Sequence, residues 1–103
     1  MSQPRLANKV AIVTGASSGL GRAIAIRYGQ EGAKVVCADL HPTARAREEA
    51  EIATQDLILK NGGKAAFVKT DVGNAGQMEN LIQVAVNEFG RVDMYALLTV
   101  EFC

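Results

Sequence analysis

The stretch that decides the fold is VTGASSGLGRA, residues 13–23, in which three glycines and two serines separate an apolar run from a helical pattern. The run before it, residues 10–13, is continuously apolar, which is typical of a strand buried on both faces of a parallel sheet. Glycine lacks a Cβ, so it can adopt a positive φ and lets another group contact the main chain. The turn therefore predicts close approach of a helix or a ligand to the backbone.

Further apolar runs repeat the pattern of a buried strand. Residues 33–38 end on Asp39, residues 65–70 end on Asp71, and residues 92–100 read as a fourth strand. Helical spacing fills the intervals between these strands, and such alternation predicts right-handed βαβ units. The predicted fold class is therefore α/β: a doubly wound, Rossmann-type parallel sheet of about four strands in the order 3-2-1-4. It would form a single, incomplete domain over residues 1–103.

Three helices are predicted between the strands. The first follows the glycine turn and ends at Gly32, and the second lies in the segment that opens at Pro42 and ends at Gly62. The third is the clearest, because its apolar residues recur at i, i+3, i+4, i+7 and i+11 before Gly90. These residues are Met78, Leu81, Ile82, Ala85 and Phe89.

The composition excludes several functional classes. Eleven basic and eleven acidic residues cancel, so the chain lacks the charge expected of a nucleic-acid-binding protein. The two cysteines, Cys37 and Cys103, are far apart and indicate neither a disulfide framework nor a metal site. No apolar run is long enough for a membrane span, and residues 1–9 do not resemble a signal peptide. We therefore expect a cytoplasmic location, with no metal and no membrane partner.

The glycine turn has the position of a ligand-binding turn. In an open parallel sheet, ligands bind beyond the carboxyl ends of the strands, and the first N–H groups of a helix favour a phosphate. Gly15, Gly19 and Gly21 would then allow a pyrophosphate to approach the backbone. The alternative is that the glycines serve only the steric needs of a tight strand-to-helix turn.

Acidic residues follow the second and third predicted strands. Asp39 lies near the position, about 20 residues after the glycine motif, at which a carboxylate binds the adenosine ribose. A carboxylate accepts hydrogen bonds from the ribose hydroxyls and repels a 2′-phosphate, so Asp39 favours NAD over NADP. Asp71 and Val72 could line an adenine pocket. Alternatively, Asp39 is a solvated acid, and Asp71 precedes a helix that begins near Asn74.

The motif TGASSGLG, residues 14–21, resembles the cofactor turn of the short-chain dehydrogenase/reductase family. The segments NKVAIVTG, TDV and FGRVDM also resemble that family, so the likeness covers residues 6–94. The resemblance implies that pyrophosphate and ribose contact the turn, that the adenine ribose contacts Asp39, and that adenine contacts Asp71 and Val72. Ser18 stands where NADP-preferring members carry Arg or Lys. The predicted NAD-binding residues are Gly15, Ser17, Ser18, Gly19, Leu20, Gly21, Asp39, Leu40, Asp71 and Val72.

The chain departs from the family pattern after Met94. Residues 97–100 are LLTV where the family carries Asn-Asn-Ala-Gly, and residues 95–103 form a divergent tail. The family's catalytic Ser and Tyr-x-x-x-Lys pair have no counterpart, because Tyr28 and Tyr95 lack a lysine four residues later. We therefore predict no catalytic residue and no turnover by this chain alone. We interpret the divergence as a frame change, an alternative exon or a faulty gene prediction.

Two other functions are compatible with the sequence. The chain could be a non-catalytic module that binds a dinucleotide, or that pairs with a partner through the edge strand at residues 92–100. Residues 15–19 also satisfy Gly-x-Ser-x-Gly, the nucleophile turn of α/β-hydrolases. Ser17, Asp39 and His41 follow in the required order. However, an acid two residues from the histidine is poorly placed to orient the imidazole.

Overall fold

The computed structural model describes residues 6–17, 19–40 and 52–96. These residues contain one sheet of four parallel strands, with the order β3-β2-β1-β4. The order and the α/β class confirm the prediction. The strands are β1 (Val10–Thr14), β2 (Lys34–Asp39), β3 (Lys64–Lys69) and β4 (Met94–Ala96).

Three helices connect the described strands: α1 (Gly19–Gln30), α2 (Thr54–Lys60) and α3 (Ala75–Phe89). The N-cap residue of α3 is Asn74, whose side chain accepts a hydrogen bond from the Gln77 amide. At its other end Gly90 adopts a φ of 85°, the left-handed conformation in which glycine commonly ends a helix. The predicted start of the second helix at Pro42 lies outside the described residues.

The core lies on both faces of the sheet, which explains the continuous apolar run of β1. Successive side chains of a strand point to opposite faces. On one face, Ala11 and Val13 pack with residues of α1 and α2 that include Ala25 and Ile58. On the other face, Ile12 packs in a cluster with Val36, Leu81 and Ala85.

The apolar residues of α3 are buried to different degrees. Leu81 and Ala85 are buried, but Ile82 is 44 % exposed. The reason is geometric: Leu81 and Ala85 lie one turn apart and face the sheet, whereas Ile82 lies about 100° further around the helix. The predicted helix is therefore confirmed, and its apolar positions differ in how deeply they are buried.

The fourth strand begins later than predicted, at Met94 instead of residue 92. Regular pairing starts with Ala11 opposite Met94. Before it, the Asp93 carboxylate accepts a hydrogen bond from the Val10 amide at 2.9 Å, and the Asp93 amide donates to the Val10 carbonyl at 2.8 Å. The Asp93 side chain thus accepts the hydrogen bond from the Val10 amide, which a backbone carbonyl of the neighbouring strand would accept in a regular ladder. Residues 97–100 of the predicted strand lie outside the described residues.

Candidate functional site

The carboxyl ends of the parallel strands bring the predicted site residues to one edge of the sheet. The Ala16 amide donates to the Ala38 carbonyl at 3.2 Å, which joins the glycine turn to the end of β2. The Thr70 amide donates to the Asp39 carbonyl at 2.8 Å, which joins the end of β2 to the segment after β3. We call this region the carboxyl edge; it contains residues 14–21, 39–40 and 70–72, of which Ser18 lies outside the described residues.

The three glycines of the turn meet different physical requirements. Gly15 and Gly19 have φ of 66° and 58°, a conformation that disfavours other residues. At Gly21 the requirement is space, since an added Cβ would lie 2.0 Å from the Gly15 carbonyl oxygen. At Gly19 an added Cβ would have no atom of the described structure within 4 Å. The steric interpretation therefore accounts for Gly21, while the turn is open at Gly19.

The Asp39 carboxylate is held between the glycine turn and the segment after β2. Its Oδ2 accepts a hydrogen bond from the Ser17 amide at 3.1 Å, and its Oδ1 accepts one from the Leu40 amide at 2.7 Å. Asp39 is half-buried. Two residues that the sequence placed in the same site, Ser17 and Asp39, are therefore in direct contact.

Asp71 organises the turn that begins α3. Its Oδ1 accepts from the Gly73 amide at 2.9 Å, and its own amide donates to the Gln77 side-chain oxygen at 2.7 Å. These contacts agree with the alternative in which Asp71 is an acid near a helix N-terminus. Its side chain is nevertheless exposed at the carboxyl edge, beside an exposed Val72.

The carboxyl edge also contains exposed apolar side chains. Leu20, in the first turn of α1, is 68 % exposed, and Leu40, directly after Asp39, is also exposed. Such side chains could cover the apolar parts of a bound nucleotide.

Two buried polar residues near the turn were missed by the sequence analysis. Arg22 is 7 % exposed, and its Nη1 donates to the Ile52 carbonyl at 2.8 Å and to Thr54 Oγ1 at 3.3 Å. Thr54 is fully buried, and its hydroxyl donates to the Ala16 carbonyl at 2.6 Å. The sequence signal for the burial of Arg22 was its position three residues before Ala25, which places both residues on the same face of α1.

The two described tyrosines have different surroundings. The Tyr95 hydroxyl donates to the Met78 sulfur at 3.8 Å, and burial raises the pKa of Tyr95, opposite to the change that would activate it. Tyr28 packs against the core cluster on the α1 face of the sheet.

The hydrolase alternative finds little support at Ser17. This residue is 3 % exposed, whereas a nucleophile must reach its substrate. The Asp39 carboxylate accepts hydrogen bonds from the Ser17 and Leu40 amides. His41 lies outside the described residues.

Metal binding, membrane crossing and cysteine chemistry can each be addressed for the part of the chain that the structure describes. No group of three or more potential metal ligands occurs there. No helix among the same residues has the length and apolar character needed to cross a bilayer. Cys37 is buried, and burial raises the pKa of its thiol to about 12.

A cavity of about 450 Å³ lies at the opposite edge of the sheet, where the strands begin. Its polar lining includes Gln30, Lys34, Asn61 and Lys64. It is separate from the carboxyl edge, because Lys34 and Lys64 are the first residues of β2 and β3.

The strand order, the glycine turn and the acid at the end of β2 define a Rossmann-type fold of the dinucleotide-binding class. Comparison with known proteins gives the family. The profile of the short chain dehydrogenase family matches residues 9–97. The chain therefore belongs to the short-chain dehydrogenase/reductase family.

Relatives of known sequence are consistent with this membership. The chain is 43 % identical over 86 residues to an uncharacterized oxidoreductase of Listeria monocytogenes, covering 84 % of this chain and 32 % of the relative. It is 45 % identical over 86 residues, with the same coverage, to a 2,5-dichloro-2,5-cyclohexadiene-1,4-diol dehydrogenase of Sphingobium indicum. Versicolorin reductase 1 of Dothistroma septosporum is 41 % identical over 90 residues, which are 87 % of this chain and 32 % of that protein. The chain thus spans about a third of the length of these relatives.

Solved structures show the same fold. A hydroxysteroid dehydrogenase from Escherichia coli superposes with a TM-score of 0.77 and 33 % identity, over 88 % of this chain and 36 % of that one. A short chain dehydrogenase/reductase from Burkholderia phymatum, solved in complex with NAD, gives a TM-score of 0.75 and 37 % identity. That superposition covers 87 % of this chain and 30 % of the Burkholderia chain.

Proposed function

We propose that this chain is the NAD-binding part of an oxidoreductase in which hydride passes between NAD and an alcohol or ketone. The observation that carries the proposal is the Asp39 carboxylate, held beside the glycine turn at the carboxyl edge. When bound, NAD supplies the hydride acceptor or donor, whereas the protein supplies binding and orientation.

The glycine turn fits a pyrophosphate. The open space at Gly19 allows a ligand to approach the main chain, and the adjacent N-terminus of α1 carries the positive end of the helix dipole. In the proposed complex the turn residues contact the pyrophosphate and the nearby ribose. These residues are Gly15, Ser17, Ser18, Gly19, Leu20 and Gly21.

The carboxylate of Asp39 fits the hydroxyls of an adenine ribose. An ionised carboxylate offers about four acceptor positions, and the hydrogen bonds from the Ser17 and Leu40 amides use one position on each oxygen. Capacity therefore remains for the 2′- and 3′-hydroxyls. A 2′-phosphate would meet a like charge at this place, so the proposal includes a preference for NAD over NADP. Leu40, Asp71 and Val72 would line the adenosine side.

We further propose that the 103-residue chain binds NAD without turning over a substrate. Proton transfer at an alcohol needs a positioned acid or base, and neither Tyr28 nor Tyr95 has a lysine four residues later. The raised pKa of Tyr95 supports the same proposal. A cytoplasmic location and association with a partner through the edge strand β4 belong to the proposal as well.

The test is a fluorescence titration of the full chain with NADH and NADPH, using Asp39→Asn and the control Asp56→Asn, which alters an exposed acid of α2. We expect Asp39→Asn to weaken NADH binding about tenfold, because charge-assisted hydrogen bonds contribute about 1.5–3 kcal/mol. The variant should also lose the preference for NADH over NADPH, while the control keeps both. An unchanged ratio of the two affinities in Asp39→Asn would contradict the assignment.

A further inference from the structure

The Thr54 hydroxyl of α2 is hydrogen-bonded both to Arg22 and to the Ala16 carbonyl of the glycine turn, and the direction of each hydrogen bond is defined. A guanidinium carries only hydrogen-bond donors, so the Thr54 hydroxyl accepts from Arg22 and directs its single proton elsewhere. That proton is donated to the Ala16 carbonyl, at an oxygen–oxygen distance of 2.6 Å. Arg22 itself is held by the Ile52 carbonyl at 2.8 Å. The buried arginine therefore sets which way the threonine points.

The contact with Thr54 fixes the orientation of one peptide unit. The Ala16 carbonyl and the Ser17 amide belong to the same planar trans peptide, in which C=O and N–H point in opposite directions. While the oxygen faces Thr54, the N–H faces the other side, where Asp39 Oδ2 accepts from it at 3.1 Å. A rotated peptide would turn its carbonyl oxygen toward the carboxylate, and two acceptors would then face each other.

We infer that Thr54, set by Arg22, is a positioning residue for nucleotide binding: it holds the peptide 16–17 so that its N–H faces the carboxyl edge and orients Asp39. The consequence for affinity rests on the proposed function, whereas the peptide orientation is a property of the chain without ligand. The buried Thr54 hydroxyl thereby affects ribose binding indirectly, because it orients the backbone of the turn that holds Asp39.

The test compares three variants of residues in α2. Thr54→Val removes the hydroxyl with little change of shape, and Thr54→Ser restores a hydroxyl. Ile58→Val is the matched control, since Ile58 is buried in the same helix and packs against Gly29 and Gly63. Two readouts are measured on the full chain: hydrogen exchange of the Ser17 amide without ligand, and NADH affinity by fluorescence titration.

We expect Thr54→Val to speed exchange of the Ser17 amide and to weaken NADH binding, each about fivefold beyond the control, because one hydrogen bond contributes about 1 kcal/mol. Thr54→Ser should restore both values to within about twofold, since it restores the donor. If Thr54→Val does not fold, Arg22→Met provides the second test, with changes expected in the same direction.

The two readouts separate the inference from the proposed function. An unchanged Ser17 amide in Thr54→Val would overturn the inference, even if NADH binds. A changed amide with unchanged NADH affinity would overturn the role in nucleotide binding. If the unmodified chain does not bind NADH, the proposed function fails and the positioning role fails with it, while the amide data still decide the peptide orientation.

Discussion

At the scale of single residues, the glycines of the turn provide a matched pair of substitutions. Gly21→Ala places a Cβ 2.0 Å from the Gly15 carbonyl oxygen, so α1 and the turn must separate. In Gly19→Ala the added Cβ has no atom of the described structure within 4 Å. The only cost is that alanine must adopt the left-handed φ of 58°, which is about 1–2 kcal/mol for a residue with a Cβ. We expect Gly21→Ala to lower the free energy of unfolding more than Gly19→Ala.

Urea denaturation of the two variants beside the unmodified chain measures this difference. Equal losses of stability, or a larger loss in Gly19→Ala, would show that α1 does not approach the turn as closely as described.

Single residues also show where sequence reasoning succeeded. Asp39 could be predicted because a strand pattern ends there and a carboxylate at that place has a known chemical use. The contact between Arg22 and Thr54 could not be predicted, because it joins residues far apart in the chain and depends on how α1 and α2 pack. Ser17 was predicted as a ligand contact, but its hydrogen bond to Asp39 required the register of β1 against β2.

At the scale of elements, Asp93 fastens the segment before β4 to the first residue of β1. The hydrogen bond from the Val10 amide, followed by that from the Arg91 side chain, holds the pKa of Asp93 below its ordinary value. Because the folded pKa is lower than the unfolded one, the ionised Asp93 stabilises the fold at pH above the unfolded pKa of about 3.9. This stabilisation is lost as the pH falls through the folded pKa.

Thermal unfolding of the unmodified chain and of Asp93→Asn between pH 6 and pH 2.5 tests this contribution. We expect the unmodified chain to be the more stable at pH 6, and the difference to shrink toward the acidic end. A difference that is constant with pH would contradict the role of the charge.

The elements themselves were predictable to different degrees. The boundaries of β1, β2 and β3 agree with the prediction to within about one residue, because strands covered on both faces are continuously apolar. The start of β4 was placed too early, at Val92, because the apolar pattern does not show that the Asp93 side chain replaces regular strand pairing at this point. The exposure of Ile82 could not be predicted, because the spacing of apolar residues along a helix does not reveal how much of the helix the sheet covers.

At the scale of the whole molecule, β4 is the edge of the described sheet on the side of β1. Its central residue, Tyr95, is 38 % exposed, and the strand carries no charge. An uncharged edge favours pairing with another strand, and lysine on an edge opposes it. We therefore expect the unmodified chain to self-associate as its concentration rises, and Tyr95→Lys to reduce this association.

Sedimentation velocity at several concentrations measures the association, and Lys60→Ala, an exposed substitution on α2, serves as the control. A monomeric unmodified chain at all concentrations would contradict the proposed role of β4.

The most direct test of the central claim, that a dinucleotide binds at the carboxyl edge, is a titration of the ¹⁵N-labelled chain with NADH followed by the backbone amide signals. The account predicts that the largest shifts cluster at Gly15, Ser17, Leu20 and Leu40. Shifts confined to the cavity at the opposite edge, around Lys34 and Lys64, or the absence of saturable shifts, would contradict it.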